Sequence, residues 1–311
     1  MTPPIRRRRR CQLAVPGSSL KKIEKALGLG VDHVFLDLED AVAPSMKEEA
    51  RRNVITAFNE LDWGSTVRCF RINGLDGPWA YQDLTQVVEA AGRNIDTLII
   101  PKVKHARDVH FVETLLQQIE LRMGFTKKIG LELLIEEVEG VGNVRELALA
   151  SPRIESLIFG IGDYTRAQGV DARDAFGKPR HYPGDLWHYQ RSAIVVAARM
   201  AGADYIDGPW PMIPDLDGYR RECSMVKTLG GVGKWAIHPS QIAVATEAFS
   251  PSPQELSTAV RYLAEFELAA SKGLGAIKTA EGGLLDIAAV PLLRQVITQA
   301  EFFGIAVPAA T

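Results

Sequence analysis

Eight short apolar runs, each followed by a stretch of helical periodicity, predict an α/β chain folded as a closed (β/α)8 barrel with a helical extension at its C-terminus. Three observations carry this expectation. The runs recur regularly over about 240 residues, the usual span of such a barrel. They are continuously apolar rather than alternating, as parallel strands covered on both faces must be. Three of them end in acids: His33-Val-Phe-Leu-Asp37 leading to Glu39 and Asp40, Leu131-Glu-Leu-Leu-Ile-Glu136, and Leu157-Ile-Phe-Gly-Ile-Gly-Asp163. Strands laid side by side in this way gather carboxylates at one end of the sheet, where active sites of α/β barrels lie and hard cations find oxygen ligands.

In chain order, strands are expected at 11–15, 33–38, 67–72, 97–103, 129–136, 156–160, 205–207 and 235–237. Helix starts are marked by Pro44-Ser45 before a helix at 46–61, by Asp76-Gly77-Pro78 before one at 79–91, and by Asp215-Leu-Asp217 before one at 218–229. The longest irregular connection, 164–184, follows the sixth strand, and its length predicts a loop over the barrel mouth. Ser250-Pro251-Ser252-Pro253 reads as a boundary. It divides the chain into a catalytic barrel, 1–249, and an extension, 250–311, with helices at 254–272 and 286–303 around a glycine-rich connector, 273–283.

A chain of 311 residues with 46% apolar content can bury a sizeable core. Its net charge of -2 gives no reason to expect a nucleic-acid partner. The run Arg6 to Arg10 reads most plainly as a solvated arm, and more sharply as a patch for ligand phosphates. The apolar stretch after it stops at Pro16, too short for a signal peptide, and the run at 193–198 is too short to span a bilayer, so a cytoplasmic protein away from membranes is expected. Cys11, Cys69 and Cys223 are widely spaced and form no CxxC, which predicts reduced, buried thiols.

Familiar motifs are absent where they would matter. Gly160-Ile-Gly162 has Thr165 in place of the third glycine of a dinucleotide fingerprint, and no Walker loop, His-Glu-x-x-His or Gly-x-Ser-x-Gly is present. Glu136 and Asp163, on adjacent strands five and six, are the strongest pair for one shared magnesium ion, although acids at strand-helix junctions also cap helices. Asp37 and Glu39 share a face and Asp40 begins the loop. They are expected to hydrogen-bond metal-bound water rather than ligate the metal. Arg71 is a cation on an apolar strand, suited to a substrate carboxylate, with a salt bridge to Asp37 or Glu39 as the plainer reading. Lys102 has a Schiff-base alternative, which the acidic cluster makes unnecessary. His238, and the polar group His181, Tyr182, Trp187 and His188, fit catalysis and backbone hydrogen bonding equally well.

The segments Leu36-Asp-Leu-Glu-Asp-Ala-Val-Ala-Pro44, Arg71-Ile-Asn-Gly-Leu-Asp76, Ile100-Pro-Lys-Val103, Ile135-Glu-Glu-Val-Glu-Gly140, Gly162-Asp163, Asp207-Gly-Pro209 and Gly233-Lys-Trp-Ala-Ile-His-Pro239 resemble the HpcH/HpaI aldolase and citrate lyase β-subunit superfamily. Within it the chain is most similar to the malyl-CoA, β-methylmalyl-CoA and citramalyl-CoA lyases. The resemblance implies a TIM barrel with magnesium, or manganese in its place, on Glu136 and Asp163. Arg71, with Gly162 and Asp163, would hold a 2-oxo acid. Pro16, Lys25, Ile237 and His238 would contact a CoA thioester, with Ala14 and Ser19 departing from some members and Arg9 or Arg10 compensating. Leu284-Leu-Asp286-Ile-Ala matches a C-terminal motif whose aspartate serves as acid/base in an adjacent subunit of a homotrimer or homohexamer, so Asp286 inherits that role. The expected reaction is carbon-carbon cleavage of a 3-hydroxyacyl-CoA. Its alternatives are malyl-CoA hydrolysis on the same fold and action on a carrier-protein thioester.

Overall fold

Eight parallel strands in chain order close on themselves in the computed structural model, which describes residues 6–171 and 182–309. They are β1 (Cys11–Pro16), β2 (His33–Asp37), β3 (Val67–Arg71), β4 (Thr97–Ile100), β5 (Gly130–Ile135), β6 (Ile154–Phe159), β7 (Asp204–Asp207) and β8 (Gly233–Ala236). Pairing of β1 with β8, Gln12 opposite Trp235, completes the barrel. All eight expected strands are present, with ends displaced by a residue or a few.

The interior is layered because side chains on one face of a strand recur every second residue. Phe35, Cys69, Ile99, Leu134, Ile158, Ile206 and Trp235, with Ala14 against them, form an apolar middle layer drawn from every strand. Two residues earlier on six of those strands stand Gln12, His33, Thr97, Glu132, Ser156 and Asp204, a polar floor. Two residues later stand Asp37, Arg71, Glu136, Gly160 and Gly208, which form the mouth at the C-terminal ends of the strands.

The arginine run belongs to the floor. Arg9 is 2% exposed and meets Glu155 at 2.5 Å, Asp204 at 3.3 Å and Glu132 at 3.4 Å. Arg7 pairs with Glu155 at 2.8 Å and Asp96 at 3.2 Å, while Arg10 pairs with Asp32 at 2.7 Å. Asp32, Asp96 and Asp204 stand at or just before the starts of their strands, at the end away from the mouth. For Arg7, Arg9 and Arg10 that placement overturns both earlier readings: these three plug the floor, Arg9 and Arg10 are not available to CoA at the mouth, and Arg6 is exposed.

Three other expectations are revised. The helix expected at 79–91 contains a π turn, Asp83–Val87, which carries buried Asp83 inward onto Arg51 and Asn73. The connection after β6 begins as a helix, Ile161–Ala167, so Asp163 lies in a first helical turn. Within the rest of that expected loop, residues 172–181, His181 among them, lie outside the described residues. In the tail, the glycine-rich connector holds a small antiparallel pair, β9 (Ala276–Lys278) and β10 (Leu284–Asp286), so Asp286 ends a strand rather than starting a helix.

The chain divides between Ala245 and Thr246. The second unit has its own core of Phe266, Leu285 and Val290 between helices Pro253–Ala270 and Val290–Phe303. Ser252 and Glu255 cap the first of these helices reciprocally. No helix among the described residues is long and apolar enough to cross a membrane.

Candidate active site

At the mouth, the end of β2 faces the end of β3. The Arg71 guanidinium forks onto Asp37, Nε to Oδ1 at 2.7 Å and Nη2 to Oδ2 at 2.6 Å. The same two oxygens accept the backbone N–H groups of Glu39 and Ala41. Burial favours the neutral acid, but Arg71 and these hydrogen bonds outweigh it and hold the Asp37 carboxyl below its ordinary value. With both oxygens so engaged, Asp37 orients Arg71 and the following loop; it is not free to hydrogen-bond metal-bound water, as the sequence suggested. The salt bridge foreseen as the plainer reading of Arg71 is therefore present.

Arg71 also approaches Glu39 Oε2 at 2.8 Å through Nη1, with the N–H aimed aside, and Asp40 at 3.5 Å. Burial raises the Glu39 carboxyl above its ordinary value despite Arg71 and Lys102. Asp40 is largely exposed.

Lys102, just beyond β4, organises more of the site than the sequence indicated. Its backbone N–H donates to Glu136 Oε1 at 3.1 Å. Its Nζ meets Glu39 at 2.6 Å, Asp40 at 3.4 Å and Asp163 at 3.7 Å. Burial works against the ammonium, yet these acids raise its pKa above the ordinary lysine value, so it is not a neutral amine ready to form a Schiff base.

Glu136 is 3% exposed. Burial pushes its carboxyl well above the usual carboxylate range, and neighbouring Glu39 and Asp163 add to the effect beyond what Arg71 and Lys102 offset. Gly160 makes the space for it: a Cβ there would lie 2.5 Å from Glu136 Oε2 and 2.6 Å from its Cβ. Asp163, with its side chain 27% exposed, has Arg166 at 3.4 Å and Lys102 at 3.7 Å. Gly162 beside it leaves open space where a Cβ would stand.

Five carboxylates, Asp37, Glu39, Asp40, Glu136 and Asp163, thus gather around Arg71 and Lys102, with Arg166 beside Asp163 and Lys47 behind the β2 loop. The surplus of hard oxygen donors, one of them buried and disfavoured as an anion, fits a small divalent cation between Glu136 and Asp163. A cavity of about 310 Å³ adjoins the cluster, lined by Glu39, Asp40, Lys102, Asn73 and Trp79 among others.

Of the expected CoA contacts, Pro16 ends β1, and Gly17 packs on the end of β2, its N–H bonded to Asp37 O at 2.8 Å. Ile237 and His238 follow neighbouring β8, so these three lie at the mouth. The His238 ring bonds Ser240, the plainer of its two readings. Lys25 is exposed in the far turn of helix Leu20–Leu27, which leads away from Pro16. Trp187 packs on Phe159 and Tyr164, His188 meets Ser192, and Tyr182 is exposed. In the second unit, Asp286 accepts the Ala288 N–H at 3.0 Å.

The floor holds another His/Cys/Glu group: His33, Cys69 and Glu132 have ligand atoms within 4.8 Å of one another. Both Glu132 oxygens, however, already face Arg9 and Gln12. The three cysteines are free and buried.

A family model described as HpcH/HpaI aldolase/citrate lyase matches residues 10–239. The chain belongs to this family. Among its relatives, an L-malyl-CoA/β-methylmalyl-CoA lyase of Cereibacter sphaeroides is 41% identical over 311 residues, covering 97% of this chain and 98% of that protein. A (3S)-malyl-CoA thioesterase of Cereibacter sphaeroides is 33% identical over 293 residues, 94% of each chain. The crystal structure of protein CitE from Mycobacterium tuberculosis, in complex with magnesium, acetoacetate and coenzyme A, superposes with a TM-score of 0.73 at 26% identity, covering 94% of this chain and 97% of that one.

Proposed function

We propose that this chain is a magnesium-dependent carbon-carbon lyase. It would reversibly cleave a 3-hydroxy-3-carboxyacyl-CoA, namely L-malyl-CoA, β-methylmalyl-CoA or citramalyl-CoA, into acetyl-CoA or propionyl-CoA and glyoxylate or pyruvate. The observation that carries this is the buried Glu136 carboxylate, aligned by the Lys102 N–H and given room by Gly160, beside Asp163 and the Arg71 cation. The 41% identity to a malyl-CoA/β-methylmalyl-CoA lyase over nearly the whole chain supports the substrate class.

Glu136 and Asp163 would hold the ion, magnesium or in its place manganese. When bound it supplies Lewis acidity toward the substrate's hydroxyl and carboxylate oxygens. Arg71, locked in orientation by Asp37, presents positive charge to the oxo-acid carboxylate and to charge developing on oxygen. Glu39 and Asp40 hold Arg71 and Lys102 in place. Pro16, Ile237 and His238 would line the CoA path, Lys25 would reach the nucleotide phosphates, and Gly162 would leave space for the oxo acid. Asp286, from a neighbouring subunit of a trimer or hexamer, would take the α-proton of the acyl-CoA in condensation, while the alkoxide formed with the new carbon-carbon bond takes up a proton from water. In cleavage the hydroxyl proton leaves to water and Asp286 returns a proton to the α-carbon, a step typically contributing ~10²–10⁴-fold. The exposed side chains Leu284, Ile287 and Leu292 around it support a tail, 250–311, that docks on another surface. CoA chemistry and free thiols go with a cytoplasmic location.

The thioesterase relative supports a second reading, hydrolysis of malyl-CoA. One assay separates them. Purified protein with acetyl-CoA and glyoxylate, with and without magnesium, is expected to form malyl-CoA; release of free thiol and malate from malyl-CoA would replace the lyase reading. Glu136→Gln and Asp163→Asn should abolish the magnesium-dependent reaction with circular dichroism unchanged, and full activity in either sinks the ligand assignment. Asp286→Asn should stop turnover while magnesium binding persists.

A further inference from the structure

We propose that Lys102 is a positioning residue that sets how tightly, and where, the mouth binds its divalent cation. Its main chain aligns one ligand, while its ammonium occupies the surrounding acids as a built-in counter-ion. The inference rests on Glu136 and Asp163 being the metal ligands.

The backbone gives the first reason. Lys102 has φ +54°, and among the described residues it is the one non-glycine in the left-handed region. Holding a lysine there costs about 1 kcal/mol or more, which glycine would avoid. The strained turn has two results that glycine could not combine: it aims the N–H at Glu136 Oε1, and it sends the side chain back across the mouth.

The ammonium gives the second. It bridges the β2 loop, through Glu39 and Asp40, to Asp163 in the turn after β6. Without it, Glu39, Asp40, Glu136 and Asp163 would face Arg71 at the centre of the mouth, with Lys47, held by the Leu38 and Glu39 carbonyls, behind the β2 loop and Arg166 at the outer edge. Glu39, Asp40 and Asp76 line the adjoining cavity with Lys47 and Lys102, so losing the Lys102 charge would leave three acids against one cation there and offer a second, misplaced cation site. The ammonium neutralises that corner and repels a dication a few ångströms away, so binding at Glu136 and Asp163 is both weakened and confined to one position.

Magnesium chloride titrated calorimetrically into the metal-free full-length protein tests this without any turnover. Lys102→Met, which keeps the length and removes the charge, is expected to bind magnesium about tenfold more tightly or to take up a second equivalent. Lys102→Arg should retain the wild-type constant and stoichiometry. Unchanged or weaker binding in a folded Lys102→Met protein overturns the inference. Should Lys102→Met not fold, Lys102→Gly relieves the backbone and keeps the N–H, and the same tighter binding or extra equivalent is required of it. Wild-type protein that binds no magnesium, or Glu136→Gln that binds it undiminished, overturns the metal reading instead.

Discussion

Gly160→Ala isolates the geometry of the mouth from its chemistry. Gly160 has φ −86° and ψ 77°, close to the inverse γ-turn geometry that Asp215 adopts in this chain at φ −87° and ψ 74°, so the added methyl acts through its bulk. That methyl would lie 2.6 Å from the Glu136 Cβ and 2.5 Å from its Oε2. Carbon atoms in contact settle at roughly 3.5–4.0 Å, so a displacement of about 1 Å is required. The carboxylate can swing, but Cβ is fixed to the main chain, and β5 is joined to this point by the Gly160 N–H to Ile135 O bond at 3.0 Å. The strand end must therefore move with Glu136. Overpacking of this kind costs about 1–3 kcal/mol of stability, and a 1 Å misplacement of a reacting group costs about 10²-fold in rate. The expected outcome is a folded protein, lowered by a few degrees in Tm, whose malyl-CoA-forming kcat at saturating magnesium falls by about 10²-fold. Gly142→Ala, where a Cβ would meet nothing within 4 Å, is the matched control. Wild-type kcat in Gly160→Ala would refute the requirement for Glu136 at this position.

Three further outcomes follow from the floor and the Asp37 fork. Arg9→Ala leaves Glu132, Glu155 and Asp204 without their shared cation and should destabilise the barrel by about 3–5 kcal/mol in urea unfolding; a loss under about 0.5 kcal/mol would restore the solvated-arm reading. Burial lowers the His33 pKa from 6.5 to about 4, so the unfolded chain binds the extra proton and stability falls as pH drops from 6.5 toward 4, by about 3 kcal/mol in all. Urea titrations at pH 7.5 and 4.5 should show that share of the loss in wild type and not in His33→Gln, and equal slopes in the two proteins would count against it. Asp37→Asn removes the fork's charge and should raise KM for glyoxylate more than KM for acetyl-CoA, as Arg71 loses its orientation; equal changes in both would assign Asp37 a purely structural part.

Much of this architecture is legible in the sequence because the physics is local. Strands buried on both faces need continuous apolar runs, and their final acids, Asp37 and Glu136, read directly as mouth residues. Even the Arg71–Asp37 pair is foreseeable, since a buried guanidinium requires an anion. Features that depend on distant partners are not. Arg7 and Arg9 find theirs 89 to 195 positions away, so a run of like charges reads as solvated when it is a plug. Lys102 is visible as a lysine after an apolar strand, but nothing in Ile100-Pro-Lys102 reports a positive φ or three acids from two other loops. Gly160 reads only as part of a failed dinucleotide fingerprint, because the atom it makes room for lies on another strand. The β9–β10 pair is three residues long on each side, too short for alternation to register.

The apolar layer through the middle of the barrel also acts as an electrical partition. Phe35, Ile99, Leu134, Ile158, Ile206 and Trp235 separate the ionic floor from the ionic mouth by two residues of strand on either side, a rise of about 6.6 Å each way. Neither set of charges needs the other for its compensation: Glu132 and Arg9 balance below, Asp37 and Arg71 above. Substitutions at the more exposed rim of the mouth, at Asp40 or Asp163, can therefore retune substrate or metal preference with little loss of fold, while substitutions in the floor or in the buried Asp37–Arg71 pair are felt as stability first. A barrel insulated in this way can exchange its chemistry while keeping its foundation, which suits a scaffold whose relatives act on malyl-CoA both as lyases and as thioesterases.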